Sequence, residues 1–156
     1  MKNSLWYSRA GIFFVLSIFV FVGACKTAAE TKGSKIEKTL VQKKWKLDQL
    51  RNVINGKYGC YIRDSINTTG VDYDKLEYTF NADGTGKYVD EVGKSHAVKW
   101  NFISSDKQTL VFAIEGNRPD IWETIVIKGE YLYATENFPV NGNPNNMHSF
   151  RLKQVP

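Results

Sequence analysis

The residues with chemically useful side chains are few and scattered. Asp72-Tyr73-Asp74 and Asp90-Glu91 place carboxylates close together, as calcium binding or proton transfer would need. Their spacing lacks the glycine and later glutamate of a calcium loop, so solvated loop charge is the plainer reading. His96 and His148 are the chain's two histidines, and both fall on apolar strand faces where they could meet. A shared metal would need further ligands, and satisfied, partly buried histidines are the simpler expectation. The chain holds no GxSxG elbow, phosphate-binding glycine loop, CxxC or HExxH. We therefore expect no catalysis, no cofactor and no metal. The richer set is aromatic: Trp45, Tyr78, Phe80, Trp100, Phe102, Phe112 and Phe150. Rings on one face can wall an apolar pocket or simply fill an interior. In the first case Tyr78, Phe80, Trp100, Phe102 and Phe112 are the expected ligand contacts, with His96 as a polar partner at the mouth.

Two cysteines, Cys25 and Cys60, have different contexts. Cys25 follows a charged start with Lys2 and Arg9, an apolar run from Gly11 to Val22 and the small residues Gly23 and Ala24. That order is the pattern of a secretory signal. The uncharged stretch is short against the roughly 20 residues a membrane helix needs. Val22-Gly23-Ala24-Cys25 resembles the lipobox of bacterial lipoproteins, although leucine is commoner at the first position. That resemblance implies cleavage before Cys25, a diacylglyceryl thioether on its sulfur and an acyl chain such as palmitate on its amine. Several chains on one residue anchor durably where one binds marginally. Lys26, and the absence of an acidic run after it, suits an outer-membrane protein facing the periplasm. Acylation of Cys25 leaves Cys60 without a partner, and beside Tyr61 and Ile62 we expect it buried as a small hydrophobe.

Composition narrows the rest. With 156 residues, 42% of them hydrophobic, the chain has room for one domain and the material for a core. The mean hydropathy of −0.36 excludes a polytopic membrane protein. The formal net charge is +5, and without Lys2 and Arg9 it falls to +3. That is too weak and too well mixed for a nucleic-acid partner. We divide the chain into a signal peptide at 1–24, a lipidated tether at 25–43 and a domain at 44–156. The tether is lysine-rich, and Ile36, Leu40 and Val41 sit near helical spacing, so a turn or two of helix could flank the domain.

From Trp45 onward the pattern has period two. Expected strands are Lys44–Val53, Lys75–Phe80, Thr85–Asp90, His96–Ser104, Thr109–Glu115, Ile121–Lys128, Tyr131–Thr135 and His148–Gln154. Asn81-Ala82-Asp83-Gly84 makes a tight hairpin with Gly84 free to take positive φ. Short connections leave no room for parallel crossovers. Leu76, Tyr78 and Phe80 share a face, as do Val98, Trp100 and Phe102, and Leu110, Phe112 and Ile114. The direction of Ile121–Ile127 stays open, because both of its faces are apolar. The expected fold class is all-β: a small antiparallel up-and-down barrel of about eight strands, with a two-sheet sandwich as the alternative. Ile54–Asp74 and Asn137–Met147 read as two long loops, a common place for function.

Trp45-Lys46-Leu47, Phe80-Asn81-Ala82-Asp83-Gly84-Thr85-Gly86, Trp100-Asn101-Phe102 and the closing Phe150-Arg151-Leu152 occur in that order behind the lipobox. In this the chain resembles the small lipocalin-like lipoproteins of Bacteroidetes, with Lys43 where lipocalins usually carry glycine. The resemblance implies a barrel closed at its base by Trp45 and a small hydrophobic or amphipathic ligand. A different class is an envelope module that binds protein. Thr69-Gly70-Val71-Asp72-Tyr73 faintly resembles the S-G-x-x-Y loop of bacterial lysozyme inhibitors, whose cationic target favours an acidic surface that this chain lacks.

Overall fold

Alternation of side chains and tight turns make neighbouring strands pair antiparallel, and the described part of the chain does so throughout. The computed structural model describes residues 35–41, 43–137 and 146–156, all within the unit Gly33–Pro156. Among them a short helix, α1 (35–41), precedes ten strands. These are β1 (Lys44–Ile54), β2 (Lys57–Ile62), β3 (Ile66–Asn67), β4 (Glu77–Phe80), β5 (Thr85–Val89), β6 (Ser95–Phe102), β7 (Leu110–Ile114), β8 (Asp120–Lys128), β9 (Tyr131–Asn137) and β10 (Met147–Val155). Strands β4 to β10 follow one another around the sheet, and β1 pairs with both β4 and β10. The result is a closed barrel of eight strands, which leaves no edge exposed along the ring. The all-β barrel expected from the pattern is what forms, and the sandwich is excluded. Cys25 and most of its tether lie outside the described residues, as does most of the Asn137–Met147 loop.

One expected loop is in part a ribbon. Ile54–Asp74 contains β2 and β3, which extend the upper half of β1. Asn55 and Gly56 make the turn with φ of 52° and 75°. Asn-Gly is the pair that a two-residue hairpin with positive φ favours. The turn is tied to the start of β10, because the Asn55 N–H donates to Asn146 Oδ1 at 2.7 Å. Cys60 on β2 is only half-buried, so the expectation of full burial is met in part; neighbouring Tyr61 takes the inward place at 3% exposure.

The Asp83-Gly84 turn behaves as its residues dictate. Gly84 has φ of 80°, and Asp83 accepts from the Thr85 N–H at 2.9 Å and the Thr85 hydroxyl at 2.6 Å. The Trp100 backbone N–H and indole N–H then donate to the Gly84 and Thr85 carbonyls, both at 2.8 Å. A Cβ at Gly86 would stand 2.3 Å from the Thr79 carbonyl, so only glycine permits this approach of β5 to β4.

Strand β8 resolves the ambiguity of Ile121–Ile127. Its register against β9 shifts between Glu123 and Val126, and Thr124 has φ of 52°. This bulge turns Trp122 and Ile125, three positions apart, both inward, while Ile121 and Val126 face out.

Candidate functional site

The two halves of the barrel interior differ. At the end where β1 starts, Trp45, Phe80, Leu110, Leu132 and Leu152 are each fully buried. Helix α1 covers that end: Leu40 is 1% exposed, and the Trp45 indole N–H donates to its carbonyl at 3.0 Å. This base is packed solid.

Toward the opposite end, where β1 finishes and β8 begins, the side chains line a half-open cavity of about 330 Å³. Its wall is a continuous aromatic cluster. Tyr78 from β4 meets Trp122 edge-to-face with centroids 5.0 Å apart, and Phe112 from β7 stacks on Trp122 at 5.6 Å. Phe150 from β10 closes on the other side of Trp122 at 4.9 Å. Tyr88 from β5 stacks on Tyr78 at 5.1 Å. Geometries of this kind hold rings in place beyond what area burial supplies.

The remainder of the lining is polar and acidic. Asp120 at the start of β8, Glu136 near the end of β9, His148 near the start of β10 and Glu91 in the β5–β6 turn all contribute. The strand registers place these groups against the rings: Asp120 lies opposite Phe112, and Glu136 lies opposite Trp122 on one side and His148 on the other. His148 Nδ1 stands 3.5 Å from Glu136 Oε2. Burial pushes the Asp120 carboxyl up to about 7, and the charge and hydrogen bond of Glu136 push the same way, against the pull of His148 and Arg118. Burial also raises the Tyr78 and Tyr88 hydroxyls, helped by neighbouring acids that include Glu91 and Asp120. Burial is the largest cause of each shift, and the neighbouring carboxylates add to it.

The sequence-predicted contacts divide. Tyr78 and Phe112 line the cavity. Phe80, Trp100, Phe102 and His96 do not, because β6 contributes nothing to the lining and Phe80 sits in the packed base. Trp100 packs edge-on against Phe80 at 5.4 Å and Phe102 at 5.7 Å. His96 is placed behind Tyr88, with ring centroids 5.8 Å apart, and pairs with Asp90 at 2.9 Å. His96 and His148 thus serve different carboxylates. The long Ile54–Asp74 segment reaches the cavity through Tyr73. Asp72 and Asp74 are structural: Asp74 accepts from the Tyr61 hydroxyl at 2.7 Å, and Asp72 accepts from the Asp74 N–H at 2.9 Å.

Sequence reading missed Asp120, Glu136, Tyr88 and Trp122 as site residues, and it set Glu91 aside as solvated loop charge although it lines the cavity. Glu136 had a usable signal, since Leu132, Ala134 and Glu136 alternate on one face. Trp122 had none, because the bulge changes the phase of β8. Among the described residues, no group of three or more His, Cys, Asp or Glu is placed to hold a metal ion. No family model, curated protein or solved structure matches the chain.

Proposed function

We propose that this chain is a lipid-anchored, lipocalin-like protein of the bacterial cell envelope whose barrel binds a small amphipathic molecule without catalysis. The observation that carries the binding half is the cavity, with rings on one side and hydrogen-bonding groups on the other. At about 330 Å³ it lies at the small end of ligand pockets, which run from roughly 300 to 1,000 Å³. It suits a compact body of one or two rings. The rings supply contact area, and the polar groups set orientation.

Trp122 in the wall makes binding visible. Titrating the full chain in lipid nanodiscs with small amphipathic aromatics should give a saturable change in tryptophan fluorescence. Ile114→Trp, which puts a large ring into the cavity, should abolish that change while circular dichroism still reports the barrel. No saturable change with any such probe in the native chain would end this reading and favour the protein-binding module.

The anchor half rests on the Val22-Gly23-Ala24-Cys25 ending behind an apolar core of signal length. Cys25→Ser should abolish incorporation of labelled palmitate and block cleavage, so that the protein accumulates as a larger precursor that keeps its leader. A variant that stays in the membrane with unchanged mobility would show that a helix, not lipid, holds the chain.

A further inference from the structure

Resting on the reading of the cavity as a ligand site, we propose that its ligand is an organic cation: a protonated amine on a small apolar or aromatic body. The site is the cavity, and its lining decides the sign of what enters. Asp120, Glu136 and Glu91 bring three carboxyl groups, His148 brings one imidazole, and no Lys or Arg is among the described residues that line it. Even with one proton on the Asp120–Glu136 pair and a charge on His148, the lining stays net negative. An anionic head would find no Lys or Arg among those lining residues, with Arg118 only in the loop beside Asp120, and would meet carboxylates in a partly buried space.

The apolar side favours the same ligand. Aromatic faces carry negative potential and attract an ammonium placed over them. The register sets Asp120 across from Phe112 and Glu136 across from Trp122, so ring and carboxyl stand side by side on adjacent strands. A bound ammonium can donate to the carboxyls and lie against the rings at once. Such charge-assisted hydrogen bonds are about twice as strong as neutral ones.

Proton balance follows from the groups that face Asp120: Glu136 on β9, His148 on β10 and Arg118 in the preceding loop, with Phe112 uncharged on β7. Glu91, Tyr88 and Tyr78 complete the titratable lining. Burial and Glu136 raise the Asp120 carboxyl to about 7, so the Asp120–Glu136 pair shares a proton below that range. An ammonium favours its ionised form, so cation binding expels that proton to solvent, and affinity rises with pH through that range. An anionic ligand would take up a proton and bind better at lower pH, and a neutral one would show little slope.

The test is calorimetry on the full chain in zwitterionic nanodiscs with three matched probes: 2-phenylethylamine, 2-phenylethanol and 3-phenylpropionate. Repeating it in buffers of different ionisation enthalpy counts protons. The amine should bind about tenfold more tightly than the alcohol near pH 8 and release protons near pH 7. Its affinity should rise between about pH 6 and about pH 8. The slope should survive in His148→Gln and disappear in Asp120→Asn, which should still bind the alcohol. If the alcohol or the acid binds as tightly as the amine, and Ile114→Trp blocks it, the cavity binds ligand but the cation assignment is wrong. If none of the three binds, the ligand-site reading falls and the assignment falls with it.

Discussion

Trp45→Ala should cost the barrel about 3–5 kcal/mol, as loss of a fully buried large aromatic does. Small domains have only about 5–15 kcal/mol in total, so the urea midpoint should fall by roughly a fifth or more. The site explains the size of the effect. Trp45 lies on the part of β1 that pairs with β4 on one side and β10 on the other, where the ring of strands closes. Its indole N–H also holds the Leu40 carbonyl of α1 at 3.0 Å. Trp45→Phe separates the two contributions: it keeps a ring but orphans that carbonyl, for a loss of about 1–3 kcal/mol. Hydrogen exchange across residues 35–41 should quicken in both variants, because the helix loses its tie to the base. A loss under about 1 kcal/mol in Trp45→Ala would mean that the base is not the packed core described.

The second large effect concerns Asp120. Its folded-state carboxyl is raised to about 7, well above the ordinary carboxylate range, so folding retains a proton that the unfolded chain has released. The group's favourable contribution is complete at low pH and is lost as pH climbs toward 7. Above that the folded state must hold the charge in a half-buried pocket beside Glu136. Asp120→Asn removes the charge and leaves an amide that can still donate to Glu136. The variant should match the native chain near pH 4 and exceed it by about 2 kcal/mol near pH 8, a figure already discounted for solvent screening at this half-open end. Denaturant unfolding at several pH values reads the difference directly. A constant offset at every pH would show that Asp120 ionises without penalty.

The same carboxyl weakens the fold and, on the reading proposed above, recognises the ligand. Binding sites commonly keep such groups, because a charge unfavourable in the empty protein is relieved by the partner that neutralises it. A cationic ligand should therefore stabilise the native chain more at pH 8 than at pH 5.

Local pattern was enough for the frame. Alternation along Val98-Lys99-Trp100 and Leu110-Val111-Phe112 marked the inner face, because successive strand side chains point to opposite sides whatever the rest of the chain does. Asn81-Ala82-Asp83-Gly84 marked its hairpin, because positive φ at Gly84 is a property of the residue. The Lys57–Ile62 strand is not legible in the pattern, and its segment reads as a loop: Asn55-Gly56 signals the turn, but the glycine and sparse alternation of Tyr58-Gly59-Cys60 hide the strand.

Tertiary structure decided which inward residues fill space and which surround it. Phe80 and Phe112 look alike in sequence, both inward on apolar strands. One is locked under Trp100 near the end that α1 covers, while the other borders the cavity. Nothing local distinguishes them, because emptiness belongs to the whole ring of strands and to the helix that covers only one end. The acidic pair depends on register in the same way. Asp120 and Glu136 meet because the bulge at Glu123–Val126 sets how β8 lies against β9. By itself the sequence determined an all-β domain with aromatic residues on the inward faces of its strands. The pairing of β1 with both β4 and β10 that settles barrel against sandwich, the position of the cavity and its acidic lining came from contacts between residues far apart in the chain, which no periodicity records.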